Sequence, residues 1–259
     1  MWTGHVVLLA GGRALRMRPL SQYVPKCLLP LGDRPIIIRH LERLESIGVQ
    51  RVTIVLEPLM GSMVEFAITR GYQGKIWIKY LYQDGIKGLG PGYALSLCKD
   101  YVGYPLLVYL PDELHYPERF SHTVVHGKEK FKDFDVAVAV AKFDQNKITS
   151  IGNIAFDENT GLVKKYINKP KSDEIISAWG TTGGWAFFET AKLFDNLERI
   201  KEDPKYKDRE LHMAVLIESM RTSNLKVCAF KEETGEHYHF TDIHEFRNKG
   251  LSFREPQSF

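Results

Sequence analysis

The feature that most constrains the fold lies near the N-terminus, where an apolar run ends abruptly in glycines and cationic residues. Val6–Ala10 contains no polar residue, Gly11 and Gly12 follow it directly, and three arginines fall within residues 13–18. A strand without polar alternation is typical of a sheet that is covered on both faces. Glycines let a backbone approach an anion closely, and guanidinium groups neutralise its charge. The segment therefore predicts an oligophosphate site, which we interpret as a nucleoside triphosphate site, at the end of a buried strand.

The loop continues into a second cationic stretch, where Lys26 stands between Pro25 and Pro30. A dinucleotide-binding fold is the competing interpretation, because Glu57 supplies an acidic residue after the second predicted strand. Against it, the G-x-G-x-x-G pattern is absent, and Pro19 interrupts the segment that would form the dinucleotide helix. The Walker pattern is absent as well. The loop therefore predicts phosphate binding by backbone amides and cationic side chains.

Strand-like and helix-like segments alternate over the first 140 residues, which is the pattern of a mainly parallel sheet with helices on both faces. From residue 143 onward, strands follow one another with fewer helices, which predicts an antiparallel-rich lid. The predicted strands are Val6–Ala10, Val52–Leu56, Ile76–Tyr82, Pro105–Leu110, Val136–Ala141, Ile151–Phe156, Leu162–Ile167, Trp179–Phe188, Lys226–Lys231 and His237–Asp242. The predicted helices are Ile36–Ile47, Ala191–Arg199, Glu210–Met220, and segments within Leu59–Thr69, around Ala94–Lys99 and within Phe120–Phe131.

Bulk properties exclude several classes of protein. A net charge of +3 is too small to predict binding to nucleic acid or to an anionic membrane. The 3 cysteines are far apart and odd in number, so neither a disulfide framework nor a zinc spacing is present. Neither a signal peptide nor an apolar segment of transmembrane length is found, and we expect a cytoplasmic protein.

Three residues that could bind a ligand come at or just beyond the carboxyl ends of predicted strands. Gly11 follows the first, Gln83 the third, and Asp112 stands two residues after the strand Pro105–Leu110. Ligands of open α/β sheets bind beyond the carboxyl ends of the strands, so we expect one shared cleft. The Gln83 amide offers a donor and an acceptor to a nucleobase, and a strand-end carboxylate suits Mg²⁺.

The N-terminal motifs resemble the signature of the sugar-1-phosphate nucleotidylyltransferases, G-G-x-G-T-R-L-x-P-L-T followed by P-K-x-L-L-P. Residues 11–21 read GGRALRMRPLS and residues 25–30 read PKCLLP. The resemblance implies that Arg16 binds the β,γ-phosphates that leave as pyrophosphate and that Lys26 neutralises the α-phosphate under attack. Ala10, Gly11 and Gly12 would then bind the nucleotide. Inside the motif, alanine stands for glycine at position 14 and leucine for threonine at position 15.

The same resemblance extends to the base and the metal. The segment 82–95 is similar to the base-reading loop of glucose-1-phosphate thymidylyltransferases, which implies that Gln83 and Gly88 recognise a pyrimidine, from dTTP or UTP. Asp112 takes the position of the catalytic, metal-binding aspartate of the family, and Asp242 that of the second one. The implied cofactor is Mg²⁺. From the residues alone, Asp242 fits a helix N-cap equally well, and Glu113 could be a second metal ligand or a solvated neighbour.

The segments that would bind the sugar phosphate, the acceptor of the reaction, match the family motifs less closely. Lys169 in YINKP resembles the lysine of an E-K-P segment that contacts a sugar phosphate, with Asn168 in the place of the glutamate. Gly184 and Trp185 fall where the family lines its sugar pocket, and Glu210 falls where it contacts sugar hydroxyls. The implied partners are a nucleoside triphosphate and a sugar 1-phosphate, and the family often forms homo-oligomers.

These patterns together predict an α/β fold: a Rossmann-like, mainly parallel mixed sheet with helices on both faces and an antiparallel-rich sugar-binding lid. We expect one nucleotidyltransferase domain over residues 1–259, with a nucleotide-binding half (1–142) and a sugar-binding half (143–259). Two alternatives stay open beside the enzyme. One is a weakly catalytic or non-catalytic regulatory homologue that binds a nucleotide sugar, and the other is a cytidylyltransferase for a non-sugar phosphate or phosphonate. Substitutions at Ala14, Leu15, Pro111 and Asn168 motivate the first alternative, and the altered sugar pocket motivates the second.

Overall fold

The computed structural model describes residues 2–83, 90–206, 209–232, 235–239 and 246–250. The strands in these residues are β1 (His5–Ala10), β2 (Pro30–Leu31), β3 (Arg34–Pro35), β4 (Arg51–Leu56), β5 (Trp77–Tyr82), β6 (Leu106–Tyr109), β7 (Glu113–Tyr116), β8 (Val136–Lys142), β9 (Gly152–Phe156), β10 (Val163–Asn168), β11 (Trp179–Phe187), β12 (Val227–Lys231) and β13 (Glu236–His239). The α-helices are α1 (Ile36–Ser46), α2 (Gly61–Gly71), α3 (Pro91–Ser96), α4 (Phe120–His126), α5 (Gln145–Ile148), α6 (Thr190–Glu202) and α7 (Met213–Thr222). No helix in the described ranges is long and apolar enough to cross a lipid bilayer.

Nine strands form one mixed sheet. Its main path runs β10-β9-β11-β6-β1-β4-β5, and β8 pairs with β11 and β12. At the centre, β1 is parallel to both β4 and β6, and β4 is parallel to β5. Within this sheet, each antiparallel pair of described strands includes a strand of the second half, namely β11 with β6, β8 and β9, and β9 with β10. The predicted Rossmann-like sheet, with its antiparallel-rich second half, is confirmed.

Both faces of β1 are buried, which explains why its sequence shows no polar alternation. Val7 and Leu9 belong to the core that α3, α6 and α7 cover, whereas Val6 and Leu8 belong to the core under α1, α2 and α4. Successive side chains of a strand point to opposite faces, so an all-apolar strand contributes to both cores at once. The predicted helix layers on both faces are confirmed.

Element boundaries differ from the predictions at two places near the site. The helix predicted from Glu210 begins at Met213, because the carbonyl of Leu211 accepts a hydrogen bond from the amide of Gly92 instead of starting a helical turn. The strand predicted as His237–Asp242 is observed as β13, and residues 240–242 lie outside the described residues.

The sequence analysis missed β7, which pairs antiparallel with β13 in a separate two-stranded sheet. The register places His237 opposite His115 and His239 opposite Glu113. A four-residue strand whose partner lies about 120 residues away leaves no local pattern to detect. Its consequence is that Asp112 occupies a tight turn between two strands, β6 and β7.

Candidate active site

A cavity of about 570 Å³ lies beyond the carboxyl ends of the central parallel strands and extends toward β10 and β11. This volume is within the range of small-molecule sites in proteins. The predicted site residues that line it are Ala10, Gly11, Gly12, Arg16, Lys26, Gln83, Asp112, Lys169, Trp185 and Glu210. Residues from both halves of the sequence therefore meet in one cavity.

Three predicted site residues are not among those lining residues. Gly88 and Asp242 lie outside the described residues, and their roles stay predictions. Gly184 lies in β11 with its Cα against Tyr109, where an added Cβ would be 2.8 Å from Cε1 of the Tyr109 ring. Its neighbour Trp185 points the other way and lines the cavity. Small size at position 184 therefore serves packing against Tyr109.

The loop after β1 forms the phosphate side of the cavity. Gly11 is needed for close packing, because a Cβ there would lie 3.0 Å from Oε1 of Gln83, whereas a Cβ on Gly12 would contact nothing within 4 Å. Ala14 has left-handed backbone angles (φ 46°, ψ 48°), which glycine adopts without strain. Alanine therefore stands at a position whose backbone conformation favours glycine, the residue that the resembled motif has there. Arg16 is exposed at the cavity and forms no ion pair with another described residue, so its guanidinium is available to an anion.

Lys26 and Asp112 form an ion pair on the cavity wall, with 2.5 Å between Nζ and Oδ2. Their side chains are 11% and 26% exposed. Burial raises the pKa of the Asp112 carboxyl, but the Lys26 ammonium outweighs this effect and holds the pKa below its usual value. Asp112 is therefore an ionised oxygen donor at neutral pH, and Lys26 is a cation placed beside it.

The neighbouring thiol takes no part in this chemistry. Cys27 is 3% exposed, and burial together with repulsion from Asp112 raises its pKa to about 12. A thiol with that pKa carries almost no thiolate at neutral pH and is a poor nucleophile. The cavity therefore offers charge neutralisation and positioning, with Lys26 as the reactive group of the 3₁₀ turn Lys26–Leu28.

The end of the cavity at β4 and β5 carries an amide and a carboxylate. Gln83 is 7% exposed, and its backbone amide donates to the carbonyl of Leu56. Glu57 also lines the cavity; its Oε1 accepts a hydrogen bond from the amide of Met60, and its buried Oε2 has no hydrogen bond to a described residue. The sequence analysis considered Glu57 only for a dinucleotide fold and missed it as a residue of this site. Its position directly after β4 was the available signal.

The opposite end of the cavity is built by the segments that follow β10 and precede α7. Lys169 has left-handed backbone angles (φ 46°) and donates its amide to the carbonyl of Ile151. Glu210 lies on the same wall, with Oε1 3.6 Å from Nδ1 of His212. Burial and the repulsion from Lys169 lower the pKa of His212, against the attraction of Glu210. This end therefore combines a cation, a carboxylate and an imidazole, and His212 is a second lining residue that the sequence analysis missed.

The carboxylates at the cavity wall decide whether the implied Mg²⁺ can bind there. Within the described ranges, no group of three or more His, Cys, Asp or Glu side chains is arranged to hold a metal ion. Mg²⁺ commonly binds through one or two carboxylates together with the phosphates of a substrate, and it does not need a complete protein cage. Asp112 supplies one ionised carboxylate at the cavity wall, so the residues present fit a magnesium ion that is shared with phosphate oxygens.

Residues 5–250 match the family model described as nucleotidyl transferase. The chain is 28% identical over 172 residues to mannose-1-phosphate guanylyltransferase 1 of Arabidopsis thaliana, covering 64% of this chain and 45% of that protein. It is 26% identical over 200 residues to glucose-1-phosphate thymidylyltransferase of Xanthomonas campestris, covering 77% of this chain and 64% of that protein. The chain thus spans about half the length of the first of these curated relatives.

The fold matches a solved structure over almost its full length. A crystal structure of UDP-glucose pyrophosphorylase complexed with UDP-glucose superimposes with a TM-score of 0.77 at 19% sequence identity, covering 95% of this chain and 97% of the other. At this level of identity, the likeness is one of fold.

Proposed function

This chain belongs to the nucleotidyl transferase family, and from that premise we propose that it joins a nucleoside triphosphate to a sugar 1-phosphate, giving a nucleotide sugar and pyrophosphate. The observation that carries the proposal is the convergence of Arg16, Lys26, Asp112 and Lys169 on one cavity. Two phosphate-bearing substrates require positive charge at two places, and this cavity has cations at both ends.

The proposed reaction is an in-line displacement at the α-phosphorus. An oxygen of the sugar phosphate forms the new bond to the α-phosphorus, and the bond from that phosphorus to the β-bridging oxygen breaks. Arg16 would bind the departing pyrophosphate, Lys26 the α-phosphate and Lys169 the acceptor phosphate. A phosphate monoester is already anionic, so the attacking oxygen needs no general base, and catalysis depends on positioning and charge neutralisation.

Asp112 and Asp242 would hold Mg²⁺, which when bound neutralises charge between the donor and acceptor phosphates. The ion pair with Lys26 keeps Asp112 deprotonated, so this carboxylate is ready to bind a cation at neutral pH. Lys26 can turn from Asp112 to the α-phosphate when substrates enter.

The proposed nucleotide is dTTP or UTP, read by Gln83 and Gly88. A carboxamide matches the adjacent N–H and carbonyl of uracil or thymine. GTP is a second candidate, because Glu57 adds a buried carboxylate oxygen beside Gln83. A carboxylate suits the two neighbouring N–H groups of guanine, and a mannose-1-phosphate guanylyltransferase is among the similar proteins.

The test is a pyrophosphate-release assay over a matrix of dTTP, UTP, CTP, GTP and ATP against glucose, mannose and N-acetylglucosamine 1-phosphates and phosphocholine. We expect turnover with a sugar 1-phosphate and with dTTP or UTP. Turnover with GTP alone would assign the base to Glu57, and turnover with CTP and phosphocholine would indicate the non-sugar cytidylyltransferase. Nucleotide-sugar binding without turnover by any pair would contradict the enzyme and indicate a regulatory homologue.

We place this activity in the cytoplasm, where nucleoside triphosphates and sugar phosphates are available. The free thiols of Cys27, Cys98 and Cys228 agree with a reducing compartment. The proposal includes no nucleic-acid or membrane partner, and it leaves room for a homo-oligomer.

A further inference from the structure

Glu113 directly follows the candidate metal ligand Asp112; it lines the same cavity, and its carboxylate is turned toward β13. The residue is 8% exposed, and both carboxylate oxygens face imidazoles of β13. Oε2 lies 3.5 Å from Nε2 of His237, and Oε1 lies 3.5 Å from Nε2 of His239. A carboxylate is costly to bury unless polar groups surround it, and the two imidazoles are polar neighbours of the Glu113 carboxylate.

The backbone on the other side of Glu113 is fixed as well. Its carbonyl accepts a hydrogen bond from Nε2 of His40 (2.7 Å), and its amide donates to the carbonyl of Leu110 (3.1 Å), closing the turn that holds Asp112. Burial lowers the pKa of His40 to about 3, so the ring is neutral and Nε2 carries the donated proton.

Strand β11 leaves room for the Glu113 side chain at Gly183. At Gly183 (φ 79°), an added Cβ would lie 2.8 Å from Oε2 and 3.0 Å from Cβ of Glu113. The carbonyl of Gly183 accepts from the amide of Leu110, so the same residue also holds the start of the turn. The turn 110–113 is therefore fixed from β11, from α1 and from β13.

We propose that Glu113 is a positioning residue for Asp112, and that its carboxylate, held between His237 and His239, fixes the turn so that the Asp112 carboxylate meets the metal and the reacting phosphates. This inference rests on the proposed function. His237 and His239 precede Asp242 by five and three residues in the sequence. Their contact with Glu113 therefore links β13, the strand before the second candidate ligand, to the turn that holds Asp112. Residues behind a ligand commonly set its orientation, and replacing them lowers metal affinity or activity about 10- to 100-fold.

The test measures metal binding directly in the full-length chain. Mn²⁺, a substitute for Mg²⁺, is titrated into the protein in the presence of UTP, which supplies the phosphate oxygens that the ion would share, and free Mn²⁺ is followed by its electron paramagnetic resonance signal. We expect Glu113→Gln, which keeps the side-chain shape and removes the charge, to raise the Mn²⁺ dissociation constant by about tenfold or more. Asp112→Asn, which removes the candidate ligand itself, serves as the reference for loss of the site.

Glu232→Gln is the matched control. Glu232 is 6% exposed and accepts hydrogen bonds from the amides of Arg119 and Phe120. Burial and repulsion from Glu118 raise its pKa to about 7, so measurements at pH 8 compare the loss of an ionised, buried carboxylate that does not touch the turn. This variant should leave Mn²⁺ binding unchanged. In the kinetic assay, Glu113→Gln should lower kcat and raise the Mg²⁺ concentration that gives half-maximal rate, with the KM for the sugar phosphate unchanged.

Two failures are distinguishable. Glu113→Gln that binds Mn²⁺ as the unchanged protein does, and differs only in melting temperature, would overturn the positioning role and leave the proposed function standing. An unchanged protein that releases no pyrophosphate with any substrate pair would overturn the proposed function itself. Should Glu113→Gln fail to fold, His239→Gln removes one of the two imidazole contacts and is expected to weaken Mn²⁺ binding in the same direction.

Discussion

Nζ of Lys26 lies 2.5 Å from Oδ2 of Asp112, although 86 residues separate them in the sequence. Lys26 comes from the long connection after β1, and Asp112 from the turn after β6. Because β1 and β6 are neighbouring parallel strands, their carboxyl ends bring the two residues to one place. A cation and a carboxylate in contact at the rim of a sheet can each bind one part of a metal–phosphate substrate.

Lys26→Ala tests this pair. We expect turnover to fall by about 10²- to 10³-fold, because the α-phosphate loses the cation that neutralises it in the transition state. The fold should persist, since Lys26 lies in a loop and contributes little to the apolar core. Pyrophosphate release and a circular dichroism melting curve measure the two effects. Lys99→Ala removes an exposed lysine away from the cavity and should leave both unchanged; turnover near normal in Lys26→Ala would contradict the proposed role.

Gly11→Ala tests the close packing at the nucleotide end. The new Cβ would lie 3.0 Å from Oε1 of Gln83, so the amide has to shift by a few tenths of an ångström. We expect a raised KM for the nucleoside triphosphate and a smaller rate ratio between preferred and rejected bases. Gly12→Ala adds the same methyl group where nothing lies within 4 Å and should preserve that ratio. Equal effects of both variants on the base preference would argue against Gln83 as the reading group.

The central strands and helices could be predicted because their signals are local. β1 and β4 are continuous apolar runs, and α1 has an apolar stripe that ends at a glycine. The residues after those strands were predictable for the same reason, since parallel strands deliver their carboxyl ends to one edge of the sheet. Gly11, Gln83 and Asp112 accordingly meet in the predicted cleft.

The surroundings of Asp112 could not be predicted, because they depend on contacts between distant segments. Glu113 looked like a solvated neighbour, yet β7 pairs with β13 and buries it against His237 and His239. Glu57 and His212 were missed as lining residues because a single polar residue after a strand or before a helix carries no specific pattern.

His5 makes stability depend on pH in a predictable direction. Its Nε2 lies 2.8 Å from Oγ1 of Thr53 inside the sheet, and burial, aided by repulsion from Arg51, lowers its pKa to about 4. The folded protein therefore keeps His5 neutral, while the unfolded chain takes up a proton below pH 6.5. Between pH 6.5 and 4, this residue should lower the free energy of unfolding by up to about 1.4 kcal/mol per pH unit.

Urea unfolding of the unchanged protein and of His5→Gln at several pH values measures that contribution. The glutamine cannot titrate, so the gap between the two free energies of unfolding should shrink as the pH falls from 6.5 to 4. At pH 7.5 the variant should be the less stable of the two, because it packs less well against Thr53. Parallel curves over this range would contradict a buried, neutral His5.

Ala14→Gly offers a test of the loop without touching a charged group. Ala14 holds left-handed backbone angles (φ 46°, ψ 48°), a conformation that costs a non-glycine residue about 1–2 kcal/mol. Glycine removes this strain but loses more conformational entropy on folding, by roughly 0.5–1 kcal/mol. The net expectation is a free energy of unfolding that stays equal or rises by up to about 1.5 kcal/mol. Ala67→Gly, in the interior of α2, should instead lower it by about 1 kcal/mol, because glycine is a poor helix former and no backbone strain is relieved there. Urea unfolding measures both variants. A free energy of unfolding that Ala14→Gly leaves equal or raises, while the helix variant lowers it, would establish that the loop holds left-handed backbone angles at position 14. Equal losses in the two variants would contradict this.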